Sequence, residues 1–181
     1  MSRYVRIALA LGLSAIVVSL TAAACGSSTQ PSNNPPAATK PTFTVQMSPA
    51  SEVPAITNAE STGSGTMTIT FNLTKDAAGT VTAATADFTG NFTGFPAGTA
   101  LTAAHIHPGA AGVNGSPLVN LALSAGEVSF ATGSGTITKN GITMTVDQAN
   151  NIMNAPANFY FNIHTSLNPG GAARGQLNRT Q

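Results

Sequence analysis

Between residues 66 and 73 every second residue is apolar: Met67, Ile69, Phe71 and Leu73 alternate with Thr66, Thr68, Thr70 and Asn72. A period of two places the two sets on opposite faces of an extended strand, whereas a helix would scatter them around its surface. The run Thr42 to Met47 is a shorter version. Val81 to Phe88 follows the turn residues Asp76-Ala77-Ala78-Gly79, so 66–74 and 79–88 read as a hairpin. Further strands are expected over 101–107, 117–123, 127–138, 141–146, 158–165 and 173–178, with Asn140-Gly141 as a tight turn between two of them. Only Asp147 to Met153 breaks the pattern, reading as about two helical turns with Asp147 as N-cap. Many short strands punctuated by Gly and Pro predict an all-β fold: an antiparallel Greek-key-like sandwich or barrel with one short helix.

Charge is scarce. Of 181 residues 7% are charged, with 7 Lys+Arg against 6 Asp+Glu, where an average soluble protein has about 25%. Nucleic-acid binding needs many cations to displace counterions, so nucleic acid is excluded as a partner. A single Cys excludes an internal disulfide, and 42% hydrophobic residues exclude a charge-rich disordered chain. No G-x-S-x-G elbow supports a serine nucleophile, and no Gly-rich segment carries the downstream Lys of a phosphate loop.

Residues 1–24 have the shape of a secretory signal peptide: Arg3 and Arg6, an apolar stretch from Ile7 to Leu20, then Ala22, Ala23 and Ala24. The one Cys, Cys25, follows directly. This resembles the lipobox of bacterial lipoproteins, with Ala22 where Leu is usual, and implies lipidation of Cys25. Two or more acyl chains there would hold the protein at a membrane. The expected localisation is secretion through the general pathway and anchoring, domain outward, to a bacterial membrane. Residues 25–41 are rich in Pro, Ser and Asn and read as a flexible linker, leaving 42–181 as the folded domain. Removal of 1–24 takes away two arginines and leaves a formal charge of −1 from 5 Lys+Arg and 6 Asp+Glu.

All 3 His lie in two motifs. In Ala103-Ala104-His105-Ile106-His107 a strand would aim both imidazoles to one side and Ile106 to the other. In Phe159 to Thr165 the residues Tyr160, Asn162 and His164 share one face, opposite Phe159, Phe161 and Ile163. Imidazole is the commonest metal ligand, and H-x-H on a strand presents two nitrogens to one ion. With His164 on a neighbouring strand, His105, His107 and His164 would make a three-nitrogen site for copper or zinc. The competing reading is structural: the imidazoles hydrogen-bond to backbone and pin the Pro108–Gly115 loop to the sheet. Glu52 and Arg174 are rare charges inside motifs, readable as a structural ion pair or, for Arg174, as an anion-binding fork. Asp87, at a strand end, reads first as a solvent-facing residue and second as a candidate partner for an imidazole.

These motifs together resemble the CHRD (chordin-type) domain. Glu52-Val53-Pro54 is similar to the family's N-E-V-P segment, with Ser51 in place of Asn. Ala103 to His107, followed by Gly109, Gly112 and Gly115, resembles its A-A-H-I-H-x-G element. Phe161 to Thr165, Asn168 to Gly171 and Arg174 to Leu177 resemble its closing V-N-V-H-T…P-G-G-E-I-R-G-Q-L, with Ala172 replacing the Glu. The resemblance spans about 42–178 and implies an extracytoplasmic all-β module without an established catalytic activity. Its implied role is non-enzymatic binding or scaffolding at the cell envelope, toward an unidentified protein or glycan. A fainter resemblance to copper/zinc superoxide dismutase implies similar architecture, but three histidines are too few for a two-metal site.

Overall fold

A computed structural model describes residues 39–181. The signal-peptide segment 1–24, Cys25 and most of the linker lie outside the described residues. In chain order the elements are β1 (Thr42–Met47), β2 (Ser64–Lys75), β3 (Val81–Thr93), β4 (Thr99–Pro108), β5 (Val119–Asn120), β6 (Ser129–Phe130) and β7 (Gly135–Met144), then helix α1 (Val146–Asn154), β8 (Phe159–Thr165), β9 (Ala173–Gln176) and β10 (Asn178–Arg179). One sheet has the order β10-β1-β2-β3-β7 and the other β5-β4-β8-β9, with β6 also paired to β4. All of these pairings are antiparallel. The two sheets form a sandwich; they do not close into a barrel.

The alternation read from the sequence sets the inner faces. Phe43, Val45 and Met47 of β1, Met67, Ile69 and Phe71 of β2, and Ala86, Phe88 and Phe92 of β3 are buried. Phe161 and Ile163 of β8 and Ile106 of β4 meet them from the other sheet, with Phe88 and Phe161 ring centroids 5.9 Å apart. Each of the Phe, Ile, Val and Met side chains contributes about 1.5–3 kcal/mol by leaving water.

Two local expectations are corrected. Asn140-Gly141 does not turn a hairpin: β7 runs through it as one strand. Ala86 pairs with Ile142 and Phe88 with Lys139, so Asn140 and Gly141 together oppose Asp87. Gly141 adopts φ +69° and its N–H donates to Asp87 Oδ1 at 2.8 Å, a bulge that needs the left-handed residue the turn would also have used. The helix is capped by Thr145, not Asp147. Thr145 accepts from Gln148 N–H while the Gln148 side chain accepts from Thr145 N–H, a reciprocal capping box. Asp147 lies in the first turn, where its charge favours the helix dipole. Of the runs at 117–123 and 127–138, only Val119–Asn120, Ser129–Phe130 and the start of β7 form ladder, because turns and loops take the rest.

The C-terminal strand ties the sheets together. Ala173–Gln176 pairs with β8, Asn178–Arg179 pairs with β1, and between them Ser48 and Arg174 exchange backbone hydrogen bonds at 3.0 and 3.3 Å. Gly175 packs directly on the Gln46 carbonyl, leaving no room for a Cβ. We expect Gly175→Ala to force these strands apart and cost about 1–3 kcal/mol, as overpacking does, measured as a lower urea midpoint with unchanged slope.

Candidate metal centre and its polar surroundings

Strand β8 is buried along its whole length. One face enters the core; the other faces away from the first sheet and is roofed by Ser51 to Val53 and by the loop after β4 at Asn114 and Gly115. That outer face carries the polar residues. Register places His105 of β4 opposite Asn162 of β8, and Asn162 opposite Arg174 of β9; His107 lies opposite Tyr160. Asn162 is therefore the centre of a three-strand patch, with Tyr160 and His164 two residues away on its own strand.

The structure brings His105, His107 and His164 together: one nitrogen from each ring lies within 4.8 Å of the others. His105 Nδ1 and His164 Nε2 face each other at 3.0 Å. Carbonyl oxygens can only accept, so two tautomers are determined by their partners. His107 Nδ1 donates to Gly115 O at 2.9 Å and His164 Nδ1 donates to Pro169 O at 2.9 Å. Both rings then carry the Nε2 lone pair, the arrangement in which backbone acceptors hold a metal-ligating imidazole. His107 Nε2 is buried and has no hydrogen-bond partner. With His164 Nδ1 committed to Pro169 O, His105 Nδ1 donates to His164 Nε2; His105 is the most exposed of the three, and the tautomer with its proton on Nε2 would free Nδ1 as a ligand. Tetrahedral ligation at about 2.1 Å needs nitrogens about 3.4 Å apart, and here one nitrogen of each ring lies within 4.8 Å of the others.

Protonation favours the same use. Burial, aided by the neighbouring His164 and His107, pushes His105 down to about 4. Burial also lowers His107 and His164. All three are neutral near pH 7, the form that binds a metal.

Arg174, only 2% exposed, dominates the rest of the patch. Its Nε donates to Ser51 O at 2.6 Å and its Nη1 to Asn114 Oδ1 at 2.8 Å. Glu52 Oε2 lies 3.9 Å from Nε, and the guanidinium sits 4.5 Å from the Tyr160 ring centroid. The opposite side of Tyr160 stacks on His107, with centroids 4.8 Å apart and planes 6° from parallel. Burial raises Glu52 to about 7, against the opposing pull of Arg174 and Asn162. A second polar knot pins the roof: Glu60 accepts from Thr165 Oγ1 and Asn168 Nδ2, and Asn58 donates to Asn168. Sequence reasoning missed Asn58, Glu60 and Asn114, and had Asn168 only as part of the closing motif with no role, because loop residues without periodicity carry no sign of where they fold back.

Asp87 is not near the imidazoles. It lies on the first sheet, accepting from Asn72 Nδ2 at 2.9 Å and from Gly141 N–H, which lower its pKa in that order. Its strand belongs to the other layer, so no register could bring it to β4 or β8.

The pKa directions set the acid response. A histidine depressed in the fold takes up protons more readily when unfolded, so its contribution is intact above its ordinary 6.5 and lost as pH falls toward about 4. We expect the melting temperature to fall over that interval, and His105→Asn to flatten the fall. Glu52 has the opposite sign: its contribution is full below 4.5 and disappears as pH rises through about 7. Glu52→Gln should therefore gain on the parent above pH 7 in thermal melts.

No curated protein and no solved structure matches the chain. A family model described as CHRD domain matches residues 43–177, a span that includes all of β1 but Thr42, the three histidines, Glu52 and Arg174. The chain belongs to the CHRD domain family.

Proposed function

We propose that this CHRD domain is a lipid-anchored, extracytoplasmic module of a bacterial cell envelope that holds one copper or zinc ion on His105, His107 and His164. The observation that carries the metal reading is the pair of carbonyl-held tautomers, which leave His107 Nε2 and His164 Nε2 with lone pairs beside His105. Three imidazoles suit copper and zinc, whereas a hard cation would need oxygen ligands. The module itself is read as non-enzymatic, a rigid β scaffold for an envelope protein or glycan.

The structural alternative for the histidines has its own support, since His107 does tie Gly115 to the sheet. Metal content separates the two. After chelation and dialysis against copper or zinc, elemental analysis should find about one ion per chain, falling to background in His105→Ala and His164→Ala. Background metal in the parent, with both variants merely lowering the melting temperature, makes the histidines structural.

Anchoring is tested apart from metal. Expressed with its own leader in a bacterium, the protein should enter the detergent phase with an acyl-modified mature N-terminus, and Cys25→Ser should abolish both. A parent product that is aqueous and unmodified overturns the anchor.

A further inference from the structure

Four buried polar atoms have no hydrogen-bond partner among the described residues: Glu52 Oε1, His107 Nε2, Asn162 Oδ1 and Arg174 Nη2. Their residues are 6%, 4%, 2% and 2% exposed. An unpaired buried polar atom costs about 1–3 kcal/mol, so such groups normally have a partner, often a bound molecule. These four belong to one place. Asn162 forms the floor, with His105 its neighbour on β4, Arg174 its neighbour on β9, and His107 two residues further along β4. Glu52 also sits beside Arg174.

One of the four is accounted for by the metal reading, on which this inference rests: His107 Nε2 would be a ligand. The other three lie beside it: Asn162 is paired with His105, Arg174 with Asn162, and Glu52 lies 3.9 Å from Arg174. The described residues provide three clustered ligands, His105, His107 and His164, with no acidic or Cys side chain among them. Three protein ligands leave a zinc or copper ion with an open position. Three neutral imidazoles cancel none of a divalent ion's charge, and Glu52 offsets only Arg174, so the open position carries positive potential. Arg174 Nη2 supplies a free donor.

We infer that Arg174, Asn162 and Glu52 form a subsite for a small monoanion bound at the open position of the metal. A protonated oxyanion such as hydroxide or hydrogencarbonate satisfies the set, accepting from Arg174 and donating to Asn162 Oδ1 or Glu52 Oε1. Anion and metal are exchanged without any covalent change in the protein.

The test is azide titration of the copper-loaded full chain, followed by visible absorbance and electron paramagnetic resonance. Azide should give a saturable change at one equivalent per copper. Arg174→Lys should weaken azide affinity about tenfold through loss of the fork. Above pH 7, where Glu52 is ionised, Glu52→Gln keeps the side-chain shape and removes the counter-charge; it should tighten azide binding severalfold and does not depend on Arg174→Lys folding. Copper bound with a spectrum indifferent to azide, or azide affinity unchanged in Glu52→Gln, overturns the subsite and leaves the metal reading standing. Failure of the parent to take up copper or zinc overturns both.

Discussion

A buried guanidinium organises this domain. Taking Arg174 out of water costs several kcal/mol unless its donors are met and its charge is balanced. The partners come from separate parts of the chain: Ser51 and Glu52 from the segment after β1, Asn114 from the loop after β4, and Tyr160 from β8. Meeting the Nε and Nη1 donors of one side chain therefore holds two loops down over the outer face of β8. That face could otherwise have been solvated, as the free face of an antiparallel sheet commonly is. Roofed, it becomes an interior of a second kind, polar and directional, behind the apolar core.

The histidine cluster is a consequence of this arrangement. Strand alternation sends His105 and His107 to the roofed side of β4, and antiparallel register places Asn162 and Tyr160 opposite them. His164 then reaches His105 diagonally. The roof contributes the acceptors as well as the cover: Gly115 O and Pro169 O lie in the loops that Arg174, Glu60 and Asn168 hold in place. Imidazole tautomers, Glu52 protonation and loop position are thus parts of one network. In such a network the cost of losing a member exceeds the worth of its single contact.

Much of this was legible along the chain. The Thr/apolar alternation of β2, the two-sided pattern of β8, and the H-x-H of β4 each report a face, because side-chain direction in a strand follows from sequence parity alone. Asn140-Gly141 was legible only as a demand for positive φ; whether a bulge or a turn meets it depends on whether β3 continues alongside, which it does. Asp147 illustrates another limit: Thr145, two residues earlier, offered an equally good cap and gained the reciprocal bond from Gln148.

The sequence by itself determined the all-β class, which residues share a strand face, and that the few ionisable groups cluster in motifs. These are local properties, set by periodicity and composition. Only the tertiary structure decided that the face bearing the histidines is buried, that Asp87 stands on the other sheet, and that Asn58, Glu60, Asn114 and Asn168 close over β8. Those outcomes depend on sheet order and on where loops return, contacts as much as 123 residues apart in the case of Ser51 and Arg174, and no local pattern encodes a distance of that kind.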